Sequence, residues 1–339
     1  MSIFDTGVNP MNKFTKVVPV FLTINSGYAP YAAAAIHSLT QHTDPKRYYR
    51  VIILHDGLSF INRIRLRSLV TRNVALQFKK MTRSLYLKAI IAYCTRRQKG
   101  AGDFFSSAVY YYRAFIPLLF PIYKKAVYID SDVILRGDIG ELFDTELGDK
   151  VLAAMVDPKV SAILEFKDYV DKAVGVPHTK YVNSGVQVMD LKKMRKIKYL
   201  STMIDLIRKY DADLVAPDQD YLNVILNGKI LPLDGKWNAE PVADLPRSVK
   251  LVHFNLFNKP WHYKNVPCER LFWDAAKGTG FTGDLRRQQE AFDEKKQKED
   301  HAKVEALIKK AGRLAKCKEP LLKLEETEPS KTKKTSKKT

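Results

Sequence analysis

Four apolar residues, 126–129, run straight into Asp130-Ser131-Asp132 in the stretch KKAVYIDSDVILRGDI. A short, continuously apolar run with β-branched and aromatic members suits a strand buried on both faces, as in a parallel sheet. Side chains alternate along an extended chain, so Asp130 and Asp132 point the same way. The strand therefore delivers two hard oxygens to one point at its carboxyl end, where open α/β sheets bind their ligands. A divalent cation held by one or two carboxylates completes its shell with substrate phosphates. The local expectation is a metal–diphosphate site. The same spacing recurs at Asp211/Asp213, read as a solvated loop after a charged helix, and at Asp218/Asp220. Only the first pair has a buried strand before it.

The 339 residues suffice for one large α/β domain or two small ones. The start, MSIFDTGVNPMNKF, lacks the apolar core of a secretory signal, and no later stretch is apolar for long enough to span a bilayer. Cys94, Cys268 and Cys317 are few, odd in number and far apart. They speak for a reducing, cytoplasmic setting and against a disulfide frame or a cysteine zinc site. The net charge of +20 favours an anionic partner: nucleic acid, an acidic membrane or phosphorylated substrates. No zinc-finger, RNP or helix-turn-helix pattern accompanies it, so no specific nucleic acid is expected.

Strands are expected at 17–22, 49–54, 74–78, 126–129, 151–156, 186–189 and 250–254. Helices are expected at 31–39, 63–70, 106–120 (interrupted by Pro117), 191–210 and 218–227, the last with Asp218 as N-cap. This alternation indicates an α/β fold with a Rossmann-like, mostly parallel central sheet flanked by helices. The expected organisation is a lead-in at 1–16, a catalytic domain at 17–280 and a charged tail at 281–339. Within the tail, 284–318 reads as an exposed or weakly amphipathic helix, and SKTKKTSKKT, without apolar residues, as disordered.

Five segments, in order, carry a resemblance: PVFLTINSGYAPYAAAAIHSL, YYYRAFIPLLFP, AVYIDSDVILRGDIGELF, YVNSGVQVMDLKKMR with APDQDYLN downstream, and VHFNLFNKPWHY. Over residues 17–263 the chain resembles glycosyltransferase family 8, retaining metal-dependent enzymes with a GT-A fold. The resemblance implies that Asp130, Asp132 and His253 are metal ligands. An oxygen-rich set with one imidazole suits manganese, with magnesium as the other candidate. It implies that Lys259 meets the diphosphate and that Thr23, Asn25 and Tyr28 meet uracil. Ser131 would lie near the ribose. Arg113, Asn183 and Asp218 would hold the donor sugar, and Gln219 would lie beneath its anomeric carbon.

Two positions depart from the family pattern: Asn25 stands where Asp is usual, and Leu256 where many relatives have Gly. The implied reaction moves galactose or glucose from UDP-galactose or UDP-glucose to a saccharide or lipid-linked saccharide. Lipopolysaccharide or another surface glycan would be the product. The basic tail would add a weak peripheral contact with anionic membrane at the inner face. The rival readings are another nucleotide-sugar enzyme, which lacks the Gly-rich loop it needs here, and a non-catalytic basic binding protein. A transferase would be expected to retain UDP-sugar hydrolysis without residues 284–339.

Overall fold

The apolar runs become the strands of a seven-stranded sheet, in a computed structural model that describes residues 16–81, 84–97, 107–316 and 319–326. In chain order the strands are β1 (Lys16–Ile24), β2 (Arg47–His55), β3 (Val74–Lys80), β4 (Lys125–Ile129), β5 (Val133–Leu135), β6 (Leu152–Val156), β7 (Val182–Asp190), β8 (Ile230–Pro232) and β9 (Leu251–His253). The large sheet has the order β3-β2-β1-β4-β7-β6-β8, and β5 pairs with β9 in a small second sheet. All pairings in the large sheet are parallel except those of β7, which runs antiparallel to β4 and to β6. The mostly parallel sheet is as the sequence implies.

The alternation of β1 explains its unbroken apolar run. Phe21 enters one core cluster, while Val18, Val20 and Leu22 enter the other. Both faces are covered, so neither can be polar.

Local expectations fail where short-range rules compete. The expected aromatic helix is a 3-10 helix, Ala108–Phe115, running into one α-turn, Ile116–Leu119. The expected helix at 191–210 is two, Leu191–Lys196 and Tyr199–Tyr210, separated at Lys198, whose φ of 55° is left-handed. Asp218 is not an N-cap. Ala216 holds that place and Asp218 is in the first turn, where a carboxylate meets the positive end of the helix dipole.

Of the two forms expected for the charged C-terminal segment, the weakly amphipathic one is present. The segment forms Thr282–Glu290, Glu294–Leu314 and Leu321–Glu326. Val304, Leu307, Ile308, Ala311 and Leu314 recur at helical spacing and make one narrow apolar stripe. Leu307, Ala311 and Leu321 are buried in one core cluster, and Leu285 in the other. Asp213, expected in a solvated loop, clamps this helix through Lys310 at 3.0 Å and Arg313 at 2.9 Å. Losing residues 284–339 would take Leu285, Leu307, Ala311 and Leu321 out of the two core clusters, which removes the ground for expecting hydrolysis to survive that deletion. The lysines at 331, 333, 334, 337 and 338, on which the membrane expectation rests, lie outside the described residues. Among the described residues no helix is long and apolar enough to cross a membrane.

Candidate active site

Strand register builds the site. Asp130 N donates to Gly185 O at 2.7 Å, beside the antiparallel pair Ile129↔Val186. Asn183, Ser184 and Gly185 therefore lie next to the strand end that carries Asp130. The chain turns through Ser131 and Asp132 into β5, where Val133 stands opposite His253 of β9. Phe254 N donates to Asp132 O at 2.9 Å, closing that corner.

The result is a three-residue cluster. His253 Nε2 is 3.2 Å from Asp132 Oδ1 and 3.8 Å from Asp130 Oδ2. One potential ligand atom from each of Asp130, Asp132 and His253 lies within 4.8 Å of the others. Gly185 backs the cluster. A Cβ there would lie 2.3 Å from His253 Cε1 and 2.8 Å from Asp130 Oδ2, so a side chain cannot be accommodated without displacing a donor.

A hydrogen-bond chain sets the imidazole tautomer. Gly185 N can only donate, and it donates to Asn183 Oδ1 at 2.8 Å. The Asn183 amide nitrogen therefore faces Asp157 Oδ2, 3.1 Å away. Asn238 Nδ2 donates to the same Asn183 oxygen at 3.0 Å, which leaves Asn238 Oδ1 to accept from His253 Nδ1 at 2.9 Å. With its proton on Nδ1, a neutral ring turns the Nε2 lone pair toward two carboxylates. Such an arrangement is repulsive unless a positive charge stands between them. Two hard oxygens and one unprotonated imidazole nitrogen form a donor set that fits a divalent transition-metal ion.

Two cations flank the cluster. Lys259 Nζ is 2.5 Å from Asp132 Oδ2 and also donates to Phe254 O. Burial pushes the Asp132 carboxyl up, but the adjoining Lys259 ammonium opposes this, and the carboxyl is held well below the usual carboxylate range. Arg113 is buried, with Nη1 3.3 Å from Asp130 Oδ1 and Nε 3.2 Å from Asp218 Oδ2. It also donates to Ser184 O and, at 3.0 Å, to Tyr110 O. Tyr128 OH donates to Asp130 Oδ1 at 2.6 Å and lies 2.9 Å from Thr23 Oγ1.

Burial lowers the basicity of Arg113, but Asp130, Tyr128 and Asp218 reverse this and keep it charged. The Asp218 carboxyl is pushed up to about 7 by burial, against the pull of Arg113 and with help from Asp130 and Asp220. Its Oδ2 has the arginine as charge partner but makes no hydrogen bond. That leaves acceptor capacity in a buried wall of the cleft. Gln219 is fixed at both ends. Its Oε1 accepts from Ser184 N at 2.9 Å and Ser184 Oγ at 3.2 Å, and its Nε2 donates to Asp157 Oδ2 at 3.0 Å.

At the other end, Asn25 Oδ1 accepts from Tyr28 N at 3.1 Å and caps the 3-10 turn Ser26–Tyr28. One lone pair of the amide oxygen is thus committed to the turn. All the candidate residues except His253 line one cleft of about 400 Å³. His253 is buried behind the carboxylates.

Sequence reasoning missed Asp157 and Asn238. Asp157 is the N-cap of the helix Pro158–Ala162, its Oδ1 accepting from Lys159 N at 3.0 Å. The DP pair shows only the cap, while the second oxygen serves Asn183 and Gln219. Asn238 carries no local signal. The far end of the cleft is apolar, with Phe166, Val215, Leu256 and Leu307. Leu256, at the position where many relatives have Gly, has φ of 68°. A left-handed leucine costs on the order of 1 kcal/mol. It packs against the same core cluster that buries Leu307.

The loop beyond Lys259 docks on the C-terminal helices. His262 stacks on Phe292 at 4.2 Å and meets Gln288 Nε2 at 2.9 Å, while Tyr263 OH donates to Asp300 at 2.7 Å. Burial pulls the His262 pKa down from 6.5 to about 4, with Asp300 opposing and Lys259 adding to the fall. The unfolded chain therefore takes up a proton near pH 6.5 that the folded chain refuses until about pH 4. The stability this neutral ring provides is complete above pH 6.5 and is lost as pH falls toward 4. His262→Phe is expected to flatten that acid limb of a thermal-denaturation series. An unchanged slope between pH 6.5 and 4 would remove His262 as its source.

The whole arrangement can be set against known proteins. The family model for glycosyl transferase family 8 matches residues 19–265. General stress protein A of Bacillus subtilis is 26% identical over 269 residues, covering 73% of this chain and 88% of that protein. Lipopolysaccharide 1,2-glucosyltransferase of Escherichia coli is 27% identical over 218 residues, covering 59% of this chain and 63% of the enzyme. The galactosyltransferase LgtC, solved with donor and acceptor sugar analogues, shares the fold at a TM-score of 0.66 and 22% identity. That match covers 80% of this chain and all of LgtC. The chain belongs to glycosyl transferase family 8 and is a glycosyltransferase of the GT-A fold.

Proposed function

We propose that this protein is a retaining, metal-dependent hexosyltransferase. It takes galactose or glucose from a UDP-sugar and passes it to a saccharide acceptor in lipopolysaccharide or other surface-glycan synthesis. The observation that carries the reading is the meeting of Asp130, Asp132 and His253 beside Lys259, in the cleft that also holds Thr23, Asn25 and Tyr28. Two carboxylates and an imidazole, next to a lysine and a tyrosine-edged pocket, suit a metal-bound nucleoside diphosphate.

In this reading Asp130, Asp132 and His253 hold manganese, or failing that magnesium. When bound, the ion offsets diphosphate charge as the glycosidic bond breaks. Tyr28 stacks on uracil, the Thr23 backbone bonds the base edge, the free lone pair of Asn25 Oδ1 accepts from the uracil imide, and Ser131 lies by the ribose. Lys259, paired with Asp132 in the absence of donor, exchanges that carboxylate for the diphosphate and stabilises the leaving group. Asp218 and Asn183 accept and donate to sugar hydroxyls, and Arg113 fixes Asp130 and Asp218 together. Gln219, held by Ser184 and Asp157, presents a rigid amide to the oxocarbenium-like sugar. The acceptor enters on the face that the diphosphate leaves, so configuration is retained. A lipid-linked acceptor and a peripheral seat on the inner membrane, with the basic tail contributing, complete the reading.

Calorimetry with manganese present tests the base assignment. UDP is expected to bind at least tenfold more tightly than ADP or GDP, and equal affinities would sink the uridine pocket. A second expectation concerns Asn238, which we assign to hold the His253 tautomer. Replacing partners behind a metal ligand typically costs about 10–100-fold in metal affinity. Asn238→Leu should therefore weaken manganese binding by about that factor, while Asn238→Asp, which keeps an acceptor for His253 Nδ1, should lose less. Equal losses in the two variants, read by metal titration rather than activity, would remove the tautomer argument.

A further inference from the structure

The helix Phe60–Arg67 presents an apolar ridge to solvent. Phe60 is 70% exposed, Ile61 64% and Ile64 51%, with Val70 at 46% just beyond the helix. At about 100° per residue, Phe60, Ile64 and Ile61 fall within roughly 100° of the circumference. Leu66, on the opposite side, is the buried anchor that fixes the ridge outward. Arginines border the ridge on both flanks: Arg67 with Arg63, which donates to Leu58 O at 3.0 Å, on one, and Arg65, paired with Asp284 at 2.6 Å, on the other. Between positions 57 and 80 there is no Asp or Glu, while Arg63, Arg65, Arg67, Arg72, Lys79 and Lys80 are all cationic. Lone exposed apolar side chains need no explanation, but three on one helical face do.

An apolar band edged by arginines matches a surface with anionic headgroups over a hydrocarbon layer, in which guanidinium groups stay at headgroup level while the apolar side chains enter. A second copy of this chain is a poor occupant, because each copy carries +20 and both ridges are basic. The ridge is also convex, formed by one helix, and so suits a fluid layer better than a rigid partner. We infer that the Phe60–Arg67 helix is a docking element for an anionic lipid surface. The contact is separate from the C-terminal lysines.

The position of the helix gives the contact a use. Asn62 Nδ2 donates to Ser26 O at 3.3 Å and Ser26 Oγ at 3.4 Å, so the helix braces the 3-10 turn at the mouth of the cleft. Docking there would bring the cleft beside the lipid, where a lipid-linked saccharide would be presented. That last use rests on the transferase reading, whereas the lipid contact does not.

Vesicle flotation tests the inference, with the full chain, the triple variant Phe60→Ser, Ile61→Ser, Ile64→Ser, and a chain ending at residue 326. Vesicles are either zwitterionic or contain a phosphatidylglycerol fraction, at low and high salt. The full chain should float with anionic vesicles at low salt and much less with zwitterionic ones. The triple variant should lose on the order of tenfold in partitioning, since interfacial binding scales with buried apolar area. The shortened chain should keep most of it. Full binding by the triple variant, or none by the full chain, overturns the inference. So does a dimer of the full chain that the triple variant dissolves, which would identify the ridge as a self-association surface. UDP-sugar hydrolysis by the triple variant should match the parent, so a failed lipid result leaves the transferase reading standing and a failed donor result leaves the lipid contact standing.

Discussion

Asp132→Ala is expected to lower sugar transfer by about three orders of magnitude or more, with a well-folded protein remaining. The side chain touches His253 Nε2 at 3.2 Å and Lys259 Nζ at 2.5 Å, so it links the imidazole and the mobile cation. Its loss removes one of three donors and leaves the Lys259 ammonium without its carboxylate partner. Asp130→Ala and His253→Ala should have effects of the same order. The losses should not add in double variants, because the three act as a unit. The stability cost of Asp132→Ala should be modest, within about 2 kcal/mol, because the carboxylate lies at the cleft surface and supports no core packing. Circular dichroism and a thermal midpoint beside the rate assay separate the two effects. Parent activity in Asp132→Ala would remove the metal site from the account.

Ending the chain at residue 293 is expected to abolish the folded state or to lower its midpoint severely. That cut removes Leu307, Ala311 and Leu321 from the core, and the cation pair that clamps Asp213. A milder probe is Leu307→Ala. Replacing a buried leucine by alanine typically costs about 2–5 kcal/mol. At roughly 2–4 °C per kcal/mol, the midpoint should fall by about 4–20 °C. Because Leu307 also lines the cleft, acceptor-dependent turnover should fall more than donor hydrolysis. A 1–293 chain with the parent's midpoint would show that the C-terminal helices are dispensable decoration.

The fold was legible because its strands obey one simple rule. Residues 17–22 and 126–129 are continuously apolar, and the sheet buries both of their faces, so pattern and environment agree. The reversed strand β7 was not legible, because direction depends on the path of distant helices rather than on strand composition. That the weakly amphipathic C-terminal helix docks on the core was not legible for a related reason. Its stripe of Val304, Leu307, Ile308, Ala311 and Leu314 is narrow, and the many lysines around it dominate any average. Lys198 and Leu256 adopt left-handed backbone without glycine, which no propensity rule anticipates.

In the site, the Asp130/Asp132 pair could be read from alternation alone. His253 needed the family resemblance, since only the β5–β9 register brings it near. Asp157 and Asn238 were invisible because their work is done by side-chain hydrogen bonds between segments far apart in sequence. Nothing local separates Asp218 from an N-cap, since a carboxylate at the start of a helix looks the same in sequence whether it bonds backbone or an arginine.

The most direct measurement is UDP release by chelator-stripped protein. UDP-galactose and UDP-glucose are each supplied with and without manganese, and the anomeric configuration of any transferred sugar is read by NMR. The account predicts negligible release without metal, restoration by manganese with one of the two donors, and an α-linked product from the α-linked donor. Full release in the presence of chelator, or a product of inverted configuration, would contradict it.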